Sequence, residues 1–247
     1  MIDSHCHIHY SNNLIEDYNL IIQNGIKKLL CIFDIEDFDN KMEEWNFLVQ
    51  QKETLLSIGI HPNKINNIHR LKDFTQKYAN NIVALGETGI DLHYSSNLSE
   101  QIESLHLHMD LCKQYNKTLI VHSRDVDIDI ILNEIKQYNI RYVFHSFNYG
   151  LNEAKKLLNH GGMISFSGML TFKSCEYLRE VCEYVPITSI LTETDSPFLA
   201  PVPMRGRTNF QHYVKYVYEL ISNIKNININ ELYNIIDINF NKTFIIN

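Results

Sequence analysis

Short apolar, β-branched runs alternate along this chain with longer segments in which apolar residues return every three or four positions. The runs are Ile2 to Cys6, Lys28 to Phe33, Leu55 to Ile60, Ile82 to Leu85, Thr118 to Val121, Tyr142 to Phe144, Met163 to Phe166 and Ile187 to Thr192, and they predict eight strands. Between them, Asn40 to Lys52, Ser99 to Asn116, Asp125 to Tyr138 and Glu153 to His160 carry the helical period. In the second of these, Leu105, Met109 and Cys112 trace one apolar face, while Glu100, Glu103 and Lys113 turn to water. Two more helices, about Phe210 to Asn223 and Asn230 to Phe244, follow the last strand. The tail is rich in Asn and Ile but keeps its apolar spacing, so it is read as helix and not as disorder.

Strands alternating with helices, without a Pro/Gly/Ser linker or a break in composition, predict an α/β chain folded as one (β/α)8 barrel domain over residues 1–247. At 45% hydrophobic and 21% charged, the chain has the apolar material to fill such a core. Its five cysteines form no Cys-x-x-Cys pair, which argues against a disulfide framework or a zinc knuckle and fits a reducing cytoplasm. Cys6 alternates away from the histidines on either side of it and is expected to fill core. No apolar run approaches a membrane span, and a functional His5 would leave no room for a cleavable leader. The net charge of -7 argues against a broad basic surface for gripping duplex nucleic acid. It leaves a phosphate substrate open, because divalent ions would supply positive charge inside a carboxylate-lined pocket.

The candidate chemistry sits at the strand ends. Strand one ends in His5 and His7, whose spacing in an extended segment points both imidazoles to one side. Strand three ends at His61, four at Glu87, five at His122, six at His145 and eight at Asp195. In a barrel these ends converge on the C-terminal face, where barrel enzymes keep their catalytic groups. Any one of them alone reads as an ordinary core histidine or a capping carboxylate. Together, the imidazoles of His5, His7, His122 and His145 and the carboxylates of Glu87 and Asp195 suffice for two divalent ions if one carboxylate bridges them. Such a mixed set suits Zn2+ or Mn2+ by affinity and allows Mg2+ by availability. His69, His106, His108, His160 and His212 lie away from the strand ends and are expected not to be ligands; His93 follows Asp91 in a loop that could line the pocket.

The motifs Asp3-Ser4-His5-Cys6-His7, Gly59-Ile60-His61-Pro62, Gly86-Glu87-Thr88-Gly89-Ile90-Asp91, His122-Ser123-Arg124-Asp125, Phe144-His145-Ser146-Phe147 and Glu193-Thr194-Asp195-Ser196-Pro197 occur in that order. Leu199-Ala200-Pro201-Val202-Pro203 and Arg205-Gly206-Arg207 follow. In these motifs the whole chain resembles the TatD-type metal-dependent deoxyribonucleases. The resemblance implies a TIM-barrel hydrolase with one ion held by His5, His7, Glu87 and Asp195 and another by Glu87, His122 and His145. It also implies action on DNA, commonly as a 3'-to-5' exonuclease, with single-stranded or damaged DNA the expected substrate. The chain departs from the family pattern at Asn63, at Asn148-Tyr149 and at Phe210-Gln211, all in expected substrate loops.

Charge and reach suggest further roles. The expected nucleophile is water, with Asp195 orienting it and carrying its proton and Glu87 as the bridge. Arg124, Arg205 and Arg207 are candidate phosphate clamps; His61 and Phe147 are candidate substrate contacts. Two other readings compete. An amidohydrolase or lactonase acting on a small molecule would share His-x-His on strand one, but that group often bridges its metals with a modified lysine where Glu87 stands here. A non-catalytic binding protein on a retired barrel predicts lost ligands, and none of the six is missing. No obligate protein partner is evident.

Overall fold

The structure, a computed structural model, describes residues 1–65 and 68–245. Eight strands lie side by side in chain order, each parallel to the next: β1 Ile2–Cys6, β2 Lys28–Asp34, β3 Thr54–Gly59, β4 Ala84–Asp91, β5 Thr118–Arg124, β6 Tyr142–Phe144, β7 Met163–Phe166 and β8 Ile190–Thr192. Every residue of β1 and β4 is buried, as a parallel sheet covered on both faces requires. The helices are α1 Leu14–Gln23, α2 Met42–Leu48, α3 Ile68–Tyr78, α4 Leu98–Tyr115, α5 Ile128–Ile135, α6 Leu151–Asn159, α7 Tyr177–Tyr184, α8 Val214–Lys225 and α9 Ile229–Phe244. This is the (β/α)8 barrel that the alternating pattern predicts. Leu105, Met109 and Cys112 of α4 face the core, and Glu100, Glu103 and Lys113 face water.

The seam between β1 and β8 is tied largely by one buried carboxylate. Asp3 accepts hydrogen bonds from the Thr194 amide at 2.9 Å and the Thr194 hydroxyl at 2.6 Å. Just beyond, the Asp195 amide donates to His5 O at 3.0 Å and the His7 amide donates to Ser196 O at 2.8 Å. The bonds that close the barrel therefore also fix the backbone carrying His5, His7 and Asp195.

Three elements run differently from their sequence pattern. β4 and β5 continue to Asp91 and Arg124, past the ends expected at Leu85 and Val121. Gly86 and Gly89 explain it: they lie at φ 134° and 147°, and a Cβ at either would collide with β5 backbone, at Ile120 O or His122 O. These glycines let two strands approach closely, so Glu87 and His122 sit inside strands. The last apolar run is shorter as a strand, because Ile187–Ser189 forms a 3-10 turn ahead of β8. Cys6 is fully buried, and all five cysteines are free. Among the described residues no helix is long and apolar enough to cross a membrane.

Candidate metal centre

β1 delivers His5 and His7 to the C-terminal mouth. His5 Nε2 lies 3.8 Å from Glu87 Oε1 and 3.7 Å from Asp195 Oδ1, and His7 Nε2 lies 3.5 Å from both oxygens. These separations are long for hydrogen bonds. Two donors that each stand about 2.1 Å from one shared ion lie about 3–3.5 Å apart, a spacing the His7 pairs meet and the His5 pairs slightly exceed. Both ring nitrogens of His5 are buried without a hydrogen-bond partner among the described residues. His7 Nδ1 lies 3.0 Å from Ile32 O, so in the neutral ring it is the donor and Nε2 presents its lone pair to the centre. Asp195 has a left-handed backbone, φ 56°, braced by Asn209, whose Nδ2 donates to Thr194 O at 2.9 Å and Phe198 O at 2.6 Å.

On the other side, Glu87 Oε2 lies 2.8 Å from His145 Nε2 and 3.2 Å from His122 Nδ1. The His145 ring stacks on His5 at 3.9 Å, joining the two sides. Behind the rings stand two more carboxylates. Asp91 Oδ2 is 3.3 Å from His122 Nε2, and Glu193 Oε1 is 3.5 Å from His145 Nδ1 while accepting the Ser146 amide at 2.6 Å. A carboxylate behind an imidazole fixes its orientation and raises its basicity.

The potential donors fall into overlapping groups: His5, His7 and Asp195; His5, Glu87 and His145; and His61, Glu87 and His122. Glu87 belongs to two of them and faces the third through its other oxygen, the position a bridge needs. Burial alone would push the Glu87 carboxyl up, but His145 and His122 outweigh it and hold the group well below the usual carboxylate range. Burial likewise opposes protonation of His7, yet Asp195 and Glu87 raise it to about 9, and Glu87 and Glu193 raise His145 well above its ordinary value. Without an ion, protons on these rings balance the buried carboxylates; a divalent ion would displace them. The orphaned His5 nitrogens, the donor spacing and the nitrogen-oxygen donor set fit divalent metal.

A pocket of about 610 Å³ covers the centre, lined in part by His7, His61, Glu87, His122, Arg124 and Asp195. Burial lowers the pKa of His61 to about 4, and the structure adds its ring to the potential donors, beyond the substrate contact expected of it. Arg124 packs 5.1 Å from the Tyr94 ring. Arg205 lies instead over Phe172 at 3.7 Å, and Arg207 lines a neighbouring groove. Phe147 does not contact this pocket: it is 2% exposed and packs 5.6 Å from Tyr149. The chain turns at Ser146, φ 42°, and sends the next ring inward. His93 bonds Asp125 at 2.9 Å outside the lining, His106 bonds Glu134 at 2.7 Å, and buried His108 accepts the Ile60 amide at 3.1 Å. Sequence reading left Asp3, Asp91 and Glu193 without roles. A period-two signal marks them: Asp3 precedes His5 by two residues, Asp91 follows Glu87 by four, and Glu193 precedes Asp195 by two.

The family model for TatD related DNase matches residues 2–245. The chain is 33% identical to the metal-dependent hydrolase YcfH of Escherichia coli K12 over 252 residues, covering 99% of this chain and 95% of the relative. It is 37% identical to a metal-dependent hydrolase of Buchnera aphidicola over 244 residues, covering 92% and 89%. Among solved structures, the TatD homologue YJJV of Escherichia coli superposes with a TM-score of 0.89 at 23% identity, covering 100% of this chain and 98% of the other. A TatD family hydrolase of Entamoeba histolytica gives a TM-score of 0.82 at 19% identity, covering 99% and 98%. With the match running from the first strand to the end of the last helix, the chain belongs to the TatD-related DNase family.

Proposed function

We propose that the chain is a metal-dependent hydrolase that cleaves DNA phosphodiester bonds, shortening single-stranded or damaged ends in the 3'-to-5' direction. The observation that carries the reading is Glu87, one carboxylate reaching histidines of both sides of the centre at the floor of an open pocket. Two bound divalent ions would acidify water and offset the charge that builds on a phosphodiester at attack. Asp195, which lines the pocket, orients that water and takes its proton. Arg124 clamps a phosphate oxygen, and His61, held neutral, orients the same group.

The pocket mouth favours a nucleic acid over a small ester. Tyr10, Tyr94 and Phe198 line it and are exposed, which suits stacking against unpaired bases. Arg124, which lines the pocket, has no carboxylate within ion-pair distance among the described residues, so its charge is not neutralised by an ion pair. End-labelled single strands test the proposal. Chelation should abolish cleavage, add-back of Mg2+, Mn2+ or Zn2+ should restore it, and the products should shorten from the 3' end. Intact DNA beside rapid hydrolysis of a lactone or amide would replace this reading with that of a small-molecule hydrolase.

A further inference from the structure

A second groove, of about 450 Å³, adjoins the metal pocket, and the two share His7 and Tyr10 as a common wall. Its other side comes from residues 207–211, beyond the turn that carries Asp195, and from the loop after β1. Asn12, Asn13, Arg207, Phe210 and Tyr213 line it. Its size lies within the range of small-ligand sites.

The lining is chemically specific. Arg207 is exposed and has no carboxylate partner among the described residues, so its guanidinium is free to take an anion. Phe210 is half-buried, braced edge-on by Tyr213 at 5.7 Å, and so offers a fixed ring. Asn12 adds an exposed amide that suits a base edge, while the Asn13 amide nitrogen already donates to Glu16. Asp17, which also lines the groove, accepts the Ser11 hydroxyl at 2.6 Å. A cation, an aromatic face and an amide in one groove match a phosphate, a base and its edge.

We propose that this groove is a nucleotide subsite. A single strand whose phosphodiester lies at the metal centre crosses the His7–Tyr10 wall, stacks its next base on Phe210 and places the following phosphate at Arg207. The proposal rests on the nuclease reading, yet it is testable by binding alone.

The experiment is fluorescence anisotropy of the metal-loaded enzyme with labelled, phosphorothioate-linked strands of two and of five nucleotides. Wild type should bind the longer strand about tenfold more tightly. In Arg207→Ala, in Phe210→Ala and in Asn13→Trp, which fills the groove, that ratio should fall towards one. Arg207→Ala should also lower the slope of log Kd against log salt by about 0.7. An equal ratio for both lengths in wild type, or a wild-type ratio in all three variants, overturns the subsite. Length-dependent binding without any cleavage of ordinary DNA would keep the subsite and remove the nuclease activity. Cleavage with an unchanged ratio in the variants would do the reverse.

Discussion

The two sides of the centre hold their side chains in different ways. At the seam between β1 and β8, His5, His7 and Asp195 are placed by backbone bonds, and their donor atoms stand 3.5–3.7 Å apart, with the His5 ring nitrogens unpartnered among the described residues. Between β4 and β6, Glu87, His122 and His145 close on one another at 2.8–3.2 Å, and Asp91 and Glu193 support the rings from behind. The seam donors are therefore too far apart to hydrogen-bond closely to one another, and an ion there displaces few bonds. On the β4–β6 side the Glu87–His145 contact, at 2.8 Å, is a hydrogen bond that would have to lengthen around an ion. Preorganised donors bind more tightly than donors that must first separate, so the seam should fill first.

Changes to shared and unshared residues sharpen this contrast. Glu87→Gln removes the group common to both sides, and turnover should fall by about 10³-fold or more in steady-state assays. Asp195→Asn should cost about 10²–10³-fold in kcat while the β4–β6 side still takes up metal. If the two variants lost equal amounts of metal, the division into two sides would fail. Smaller effects are expected from the supporting carboxylates: Asp91→Asn and Glu193→Gln should each weaken metal binding about 10–100-fold, seen in competition with a chromogenic chelator. Those losses should fall on the weaker ion. A loss confined to the tighter one would reverse the assignment.

The barrel, and the convergence of the six candidate ligands on one mouth, were legible because each depends on short-range pattern. Period-two spacing settles which way His5 and His7 point, and strand-helix alternation brings distant strand ends to one face. What stayed hidden depends on contacts between strands. Gly86 and Gly89 carry β4 close against β5, which no single-strand pattern shows, so both strands run past Glu87 and His122 to Asp91 and Arg124. The inward turn at Ser146 removes Phe147 from the substrate, although its motif places it beside His145. Arg205 and Arg207, two residues apart, part company for the same kind of reason: one lies on Phe172 and the other in the second groove. No local pattern encodes that division.

Protonation links the two sides to a direct measurement. Below its raised pKa of about 9, metal-free His7 carries a proton that an ion must expel, so apparent metal affinity should rise with pH up to that value and fall as pH drops. The decisive experiment is calorimetric titration of chelator-stripped protein with Mn2+ or Zn2+ at neutral pH, in two buffers of different ionisation enthalpy. A centre bridged by Glu87 predicts two ions per chain, the first tighter, with buffer-dependent heats that report proton release, and loss of the second ion in Glu87→Gln. One ion per chain in the wild type, or two ions retained in Glu87→Gln, would contradict it.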